Sequence, residues 1–190
     1  MADSNYTVFN AMVDIVASPA KALAEVKEHG KWLWWPLLIS ILLAAGVFAY
    51  YYSWVDFEWF VEEQIRMMPP EQQAVAADGT REFMTANRMM MITVVSVVIM
   101  TFIIYLIQSL YLHLANKLAT GADIGFGQWF SFSCWTAFVG IFGSLAALIV
   151  MLTAGSNQII AESLQVLSIN NLLIHASPGD PWFRWGSSLS

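Results

Sequence analysis

The chain has 190 residues, 58% hydrophobic and only 12% charged, against roughly 25% charged in an ordinary soluble domain; this excludes a water-soluble globule, which needs far more polar surface. A net charge of −6 with eight Lys+Arg leaves no basic stripe for nucleic acid and no polybasic cluster for anionic lipid. The one cysteine, Cys134, excludes an intramolecular disulfide and a thiolate metal cage; inside an apolar run it reads as a small core or lipid-facing residue, not a reactive thiol.

Residues 1–31 mix four acids with three lysines and lack the short apolar core of a secretory signal. Residues 1–5 are expected to fray. Phe9, Met12, Val13 and Val16 then recur at helical spacing. Ser18-Pro19 reads as a helix N-cap and first position, and Gly30 as its stop. Between them Ala20, Leu23 and Ala24 fall on one side and Lys21, Glu25 and Glu28 on the other. This predicts an N-terminal amphipathic segment lying against the membrane or the bundle.

Three runs free of Asp, Glu, Lys and Arg follow, at residues 32–54, 89–115 and 129–154. Each exceeds the about 20 helical residues that cross a hydrocarbon core of about 30 Å. A helix satisfies its own peptide groups there, and the alternation of barrel strands is missing. The fold class is therefore an all-α membrane protein, a polytopic helical bundle with three clear transmembrane helices. Trp32, Trp34 and Trp35, then Tyr50, Tyr51, Tyr52 and Trp54, and finally Trp129 flank the runs and read as anchors at the headgroup level.

Between the first two runs, residues 55–88 carry seven acids and three arginines. Pro69-Pro70 breaks this extramembrane loop and Asp78-Gly79-Thr80 predicts a second turn, with short helices on each side. Asp56, Glu58, Glu62 and Glu63 precede Arg66, and Glu62 with Arg66 forms an i, i+4 pair. EF-hand spacing is absent, so a solvated acidic face is expected rather than a cation site. Residues 116–128 read as a short glycine-bearing loop, with Asn116, Lys117, Gly121, Asp123, Gly125 and Gly127 but no phosphate-loop lysine. In the tail, residues 155–190, the apolar stretch from Ile159 to Ile174 is interrupted by Glu162, Gln165, Asn170 and Asn171. It reads as an interfacial or re-entrant helix, and residues 178–186 as an interfacial turn.

Polar residues at membrane depth are the candidate functional positions. Gln108, Ser109 and His113 lie in the second span. They serve either as interhelical hydrogen-bonding and interface groups or as the lining of a proton or solute path. A path needs an acid or base partner at depth, which none of the runs supplies. In the third span Gly140, Gly143, Ser144 and Ala147 form small-x-x-x-small pairs, with Ala45 and Ala49 a weaker face on the first. Such residues let helix backbones approach, within the chain's own bundle or against a second copy. His29, His113 and His175 are scattered, and no Gly-x-Ser-x-Gly or HExxH motif occurs. No catalytic, cofactor-binding or metal-binding residue is assigned, and the chain is not expected to be an enzyme.

The stretch SPAKALAEVKEHGKWLWWPLLIS, from Ser18 to Ser40, resembles the opening of the Yip-type family of Ypt/Rab-interacting membrane proteins, in its bacterial branch. The acidic loop, the long second span and NKLATGADIGFGQWFSFSCWTAF, from Asn116 to Phe138, follow in the same order. The resemblance implies one Yip-type membrane domain over residues 1–190, about five membrane helices where three are clear here, a bacterial plasma (inner) membrane location and self-association. The end of the tail, WFRWGSSLS, resembles the stretch before a fourth helix, so the expectation is a chain that continues in a longer parent. The Asp-Leu-Tyr-Gly-Pro-like motif of eukaryotic members is missing, so binding of a Rab-type GTPase is not carried over. Basic residues split evenly, with Lys21, Lys27, Lys31 and Lys117 on one side and Arg66, Arg81, Arg88 and Arg184 on the other. The lysines crowding the first span place the N-terminus in the cytoplasm. The expected function is a non-enzymatic membrane scaffold, bound to the bilayer and to a second copy or other membrane proteins, acting on membrane organisation or trafficking. The alternative is a transporter or channel subunit with a polar path near Gln108 and His113.

Overall fold

The computed structural model describes residues 6–176 and 180–188, so the expected fraying of residues 1–5 lies outside the described residues. Among the described residues there is helix and no strand. Helix α1, Val8–Ala17, starts with a reciprocal cap between Thr7 and Asn10. Helix α2, Pro19–Glu28, has Ser18 at its N-cap and Pro19 at its first position, although the serine side chain makes no capping bond. Its C-cap is His29, and Gly30 opens a 3-10 turn, Gly30–Leu33, that leads into α3, Trp34–Trp54. After α4, Phe57–Arg66, and α5, Pro70–Phe83, comes α6, Ala86–Ala119, at 34 residues. Helices α7, Phe126–Ala137, and α8, Ile141–Thr153, are joined by a 3-10 stretch, Phe138–Gly140. The three stretches long and apolar enough to cross a membrane are Gly30–Trp54, Ala86–Ala119 and Phe126–Thr153, which makes this an all-α polytopic membrane protein.

The sequence did not announce the interruption in the third span. Thr136 donates its hydroxyl to the Phe132 carbonyl at 2.9 Å one turn before it. Such back-bonding competes with the helical ladder, and the helix tightens to 3-10 geometry at the next turn. At Asp78-Gly79-Thr80 the reverse happened: the expected turn is helical, inside α5. A mid-helix glycine costs only about 1 kcal/mol relative to alanine, and Arg81 bridges to Asp78 one turn away at 3.4 Å. Asn116 and Lys117, expected in a loop, belong to α6. Buried Asn116 closes that helix by donating Nδ2 to the Ala122 carbonyl at 2.8 Å, beside Gly121 at φ 64°.

The chain divides into two compact units, which are described separately. The first comprises Met1–Ala44 and Ser96–Ile141. Ala11 and Ile15 of α1, Ala22 and Val26 of α2, and Trp135 and Phe138 form one core here. Of the apolar stripes read from the sequence, Met12 and Leu23 pack against this core. Phe9, Val13 and Val16 point outward, as do Ala20 and Ala24. Small Ala11 and Ala22 allow the close α1–α2 approach, and the bulkier stripe is left for lipid. A second cluster sets Leu37 and Ile41 of α3 against Cys134, with Val98, Phe102, Tyr105 and Phe130 around them.

The second unit comprises Ala45–Val95 and Phe142–Ser190. Its core gathers Val47, Tyr51, Tyr52 and Val55, the α4 residues Phe60, Val61 and Ile65, and Ala147, Met151 and Leu164. Tyr51 and Tyr52 are therefore core residues rather than interface anchors; Tyr50 remains exposed. The segment after α8 is tied to the end of α3. Tyr51 donates its hydroxyl to the Ile159 carbonyl at 2.8 Å, the Asp56 N–H donates to the Asn157 carbonyl at 3.0 Å, and Asn157 Nδ2 to the Trp54 carbonyl at 3.2 Å. In place of one interfacial helix, the Ile159–Ile174 stretch forms a 3-10 turn, Ala161–Leu164, and a π turn, Asn170–Ile174. Of the expected terminal turn, Pro178 and Gly179 lie outside the described residues, and Pro181–Ser188 is instead a helix, α9. Asp180 caps it, its Oδ1 accepting from the Trp182 N–H at 2.9 Å, with proline at the first position. Phe183, Gly186 and Ser187 face inward, while Trp182, Trp185, Leu172 and Leu173 are exposed.

Candidate functional site

In the first unit, α6 carries all three polar candidates, and each meets a different environment. Ser109 is fully buried; its Oγ bonds the Tyr105 carbonyl and lies 3.1 Å from the Ser133 Oγ of α7, itself fully buried. This pair is helix–helix adhesion between α6 and α7. Gln108, the preceding residue, is exposed on the outward face. His113 is half-buried with its ring edge-on to Phe126 at 6.3 Å, and its Nδ1 is buried with no partner among the described residues. Docking of α7 thus separates the three, with Gln108 outward, Ser109 buried and His113 half-buried. Cys134 is buried beside the serine pair, among apolar side chains.

The small residues are placed unequally. Ala147 is buried in the second unit's core, while Gly143, Ser144, Ala45 and Ala49 are half-buried and Gly140 is exposed. A Cβ placed on Gly140 or Gly143 would meet nothing within 4 Å. Among the described residues no neighbouring helix presses against either glycine.

Several charged groups outside the spans are paired. In the second unit Glu62 binds Arg81 of α5 through two bonds, Nε–Oε1 at 2.7 Å and Nη2–Oε2 at 3.1 Å. Arg66, expected opposite Glu62, pairs with buried Glu63. Arg81 holds the Glu62 carboxyl below its ordinary range. Asp56 caps α4, accepting from the Trp59 N–H at 3.2 Å and from Gln158 Nε2 at 2.9 Å. The Gln158 bond, then the Trp59 amide, lowers its carboxyl too. The first unit holds a triad the sequence did not signal: Asp14 accepts from Tyr6 at 3.0 Å and Lys21 at 2.9 Å, with Lys21 4.9 Å from the centre of the Tyr6 ring. Burial, then Asp14, pushes the Tyr6 hydroxyl up to about 12. The spacing from Tyr6 to Asp14 to Lys21 matches no motif, so only the docking of α2 on α1 reveals it.

Among the described residues no three His, Cys, Asp or Glu side chains gather as a metal site. The arrangement suits helix association in lipid: buried hydroxyls join two spans, and one amide and two glycines are left facing outward. No curated protein and no solved structure matches the chain. The Yip1 domain pattern matches residues 13–186, running from within α1 to within α9 and taking in all three spans, and the chain belongs to the Yip1 domain family.

Proposed function

We propose that this protein is a non-enzymatic membrane scaffold that seats another membrane helix, from a second copy or a different protein, on the outward face of α6, and acts through that association on membrane organisation or trafficking. The carrying observation is Gln108. It is exposed between Ile104, Ile107 and Tyr111, in a helix whose most apolar stretch has no buried residue. A primary amide facing hydrocarbon lacks its hydrogen bonds; a partner helix restores them, at about 0.6–2 kcal/mol. The open surfaces at Gly140 and Gly143 support the same reading. On this reading residues 1–190 act as one Yip-type domain in a bacterial inner membrane, N-terminus in the cytoplasm, as the three lysines before the first span favour.

The test is crosslinking in native membranes. In a Cys134→Ser background, Ile107→Cys or Tyr111→Cys should give a discrete homo-oligomer or partner adduct. Gln108→Leu should lower its yield about 3- to 30-fold, the range that 0.6–2 kcal/mol implies. A strictly monomeric protein with no adduct at either position discards the scaffold.

A further inference from the structure

We propose that the first unit holds an acidic phospholipid in a cleft formed by α2, the following 3-10 turn and the start of α7, an inference independent of the scaffold reading. The cleft has a volume of about 230 Å³. Leu23, Val26, Ile124, Trp129 and Phe132 provide apolar walls, and Lys27 supplies the only charge among the described lining residues. Lys27 is exposed and makes no ion pair among the described residues. The volume falls below the roughly 300 Å³ at which enclosed small-molecule sites begin, which suits a length of acyl chain that continues into the bilayer.

Three features set where the headgroup belongs. Gly127, Gln128 and Trp129, in the first turn of α7, line the cleft; the Gln128 and Trp129 amides turn back to the Gly125 carbonyl at 3.1 and 3.3 Å, and N-cap Gly125 has no side chain to accept from the Gly127 N–H. Gln128 is engaged in the opposite sense, its Oε1 accepting from the Gly125 N–H at 3.0 Å. An uncapped helix start presents N–H donors and partial positive charge to an anion. Ser131, one turn further in, is only 4% exposed, and neither its hydroxyl nor the buried indole N–H of Trp129 has a partner among the described residues. Both residues border the cleft, and buried polar groups without partners are rare in folded proteins. Phosphate and ester oxygens match these donors and the Lys27 ammonium. The apolar walls select a lipid over free phosphate, and α7 begins a membrane span, which puts the site at headgroup depth.

The experiment uses the full chain in phosphatidylcholine nanodiscs doped with phosphatidylglycerol carrying a photoactivatable acyl chain. Adducts are expected on residues 23–30 and 124–132, displaced by unlabelled phosphatidylglycerol but not by phosphatidylcholine or inorganic phosphate. Lys27→Gln should reduce them about fivefold, the ratio for one lysine–headgroup contact at a membrane surface. Leu23→Trp, which fills the wall and keeps the charge, should abolish them. Labelling spread evenly along α6, equal labelling by a phosphatidylcholine probe, displacement by inorganic phosphate, or wild-type labelling in both variants overturns the proposal.

Discussion

Replacing Tyr51 with phenylalanine tests whether the segment after the third span is held by one hydroxyl. The Tyr51 ring is fully buried, with Tyr52 5.2 Å and Phe60 6.3 Å away between ring centres. Phenylalanine preserves that packing and removes only the 2.8 Å bond to the Ile159 carbonyl. A carbonyl deprived of its donor costs about 1–3 kcal/mol. Ile159 is half-buried, so water recovers part of this and the lower half of the range applies, about 1–2 kcal/mol, or about 5- to 30-fold in the local opening equilibrium. The reporter is the Asp56 amide, bound to the Asn157 carbonyl at 3.0 Å. By hydrogen exchange in nanodiscs it should open faster by that factor, with the amides of residues 157–160. Tyr51→Ala, which also empties the ring's place, should cost about 3–5 kcal/mol and loosen α4 as well. If Tyr51→Phe exchanges like wild type at Asp56 and residues 157–160, the hydroxyl does not hold the segment and the reasoning fails.

Other perturbations test other joints. A Cβ on Gly186 would lie 2.8 Å from Ile174 Cδ1, 3.0 Å from Asn170 Cβ and 3.2 Å from Asn170 Cα. The isoleucine tip can swing aside, but Asn170 is fixed by its bonds to Ala176 at 3.0 and 3.3 Å. Gly186→Ala should therefore cost about 1–3 kcal/mol as overpacking and speed exchange across residues 170–176; unchanged exchange refutes the contact. The Glu62 carboxyl is lowered from 4.5 by Arg81, so their bridge contributes in full above 4.5 and is lost as pH falls through the lower folded value. Spin labels on α4 and α5 should separate on acidification, and Arg81→Met should hold the acid-state distance at every pH. Ser109→Ala strands its buried partner, Ser133, and should lower thermal stability in detergent by about 1 kcal/mol, whereas Ser109→Ala with Ser133→Ala should recover part of that loss. A double-variant loss equal to the sum of the two single losses would mean the two hydroxyls are not coupled.

Hydropathy alone located the three spans, because in lipid the composition of about twenty residues decides the state of the backbone. The Yip-type resemblance was legible for the same reason: its marks are the Ser-Pro helix start and the Trp/Pro opening of the first span. Which face turns inward was less legible. On α1 the large residues Phe9, Val13 and Val16 gave the stronger pattern, yet Ala11 and Ile15 are buried, since close helix approach selects small side chains. Tyr51 and Tyr52 looked like interface rings because periodicity cannot show that α4 folds back over them. Glu62 took Arg81 from another helix instead of its neighbour Arg66. At Gln108 and Ser109 the positions were legible but not the outcome, one exposed and one bonded to Ser133, because only the docking of α7 separates two adjacent residues.

The length of α6 ties the protein to its host membrane. At about 1.5 Å per residue its 34 residues extend for about 51 Å, and the charge-free portion between Arg88 and Lys117 for about 42 Å, against about 30 Å of hydrocarbon. The excess is absorbed by leaning the helix or by stretching the lipids around it. Leaning turns the Gln108 side of the helix relative to the bilayer normal, so hydrophobic mismatch sets the angle at which that amide is offered to a neighbour. Thin membranes force a steep inclination and thick ones let the helix stand, so under the proposed scaffold function local lipid composition becomes an input to assembly.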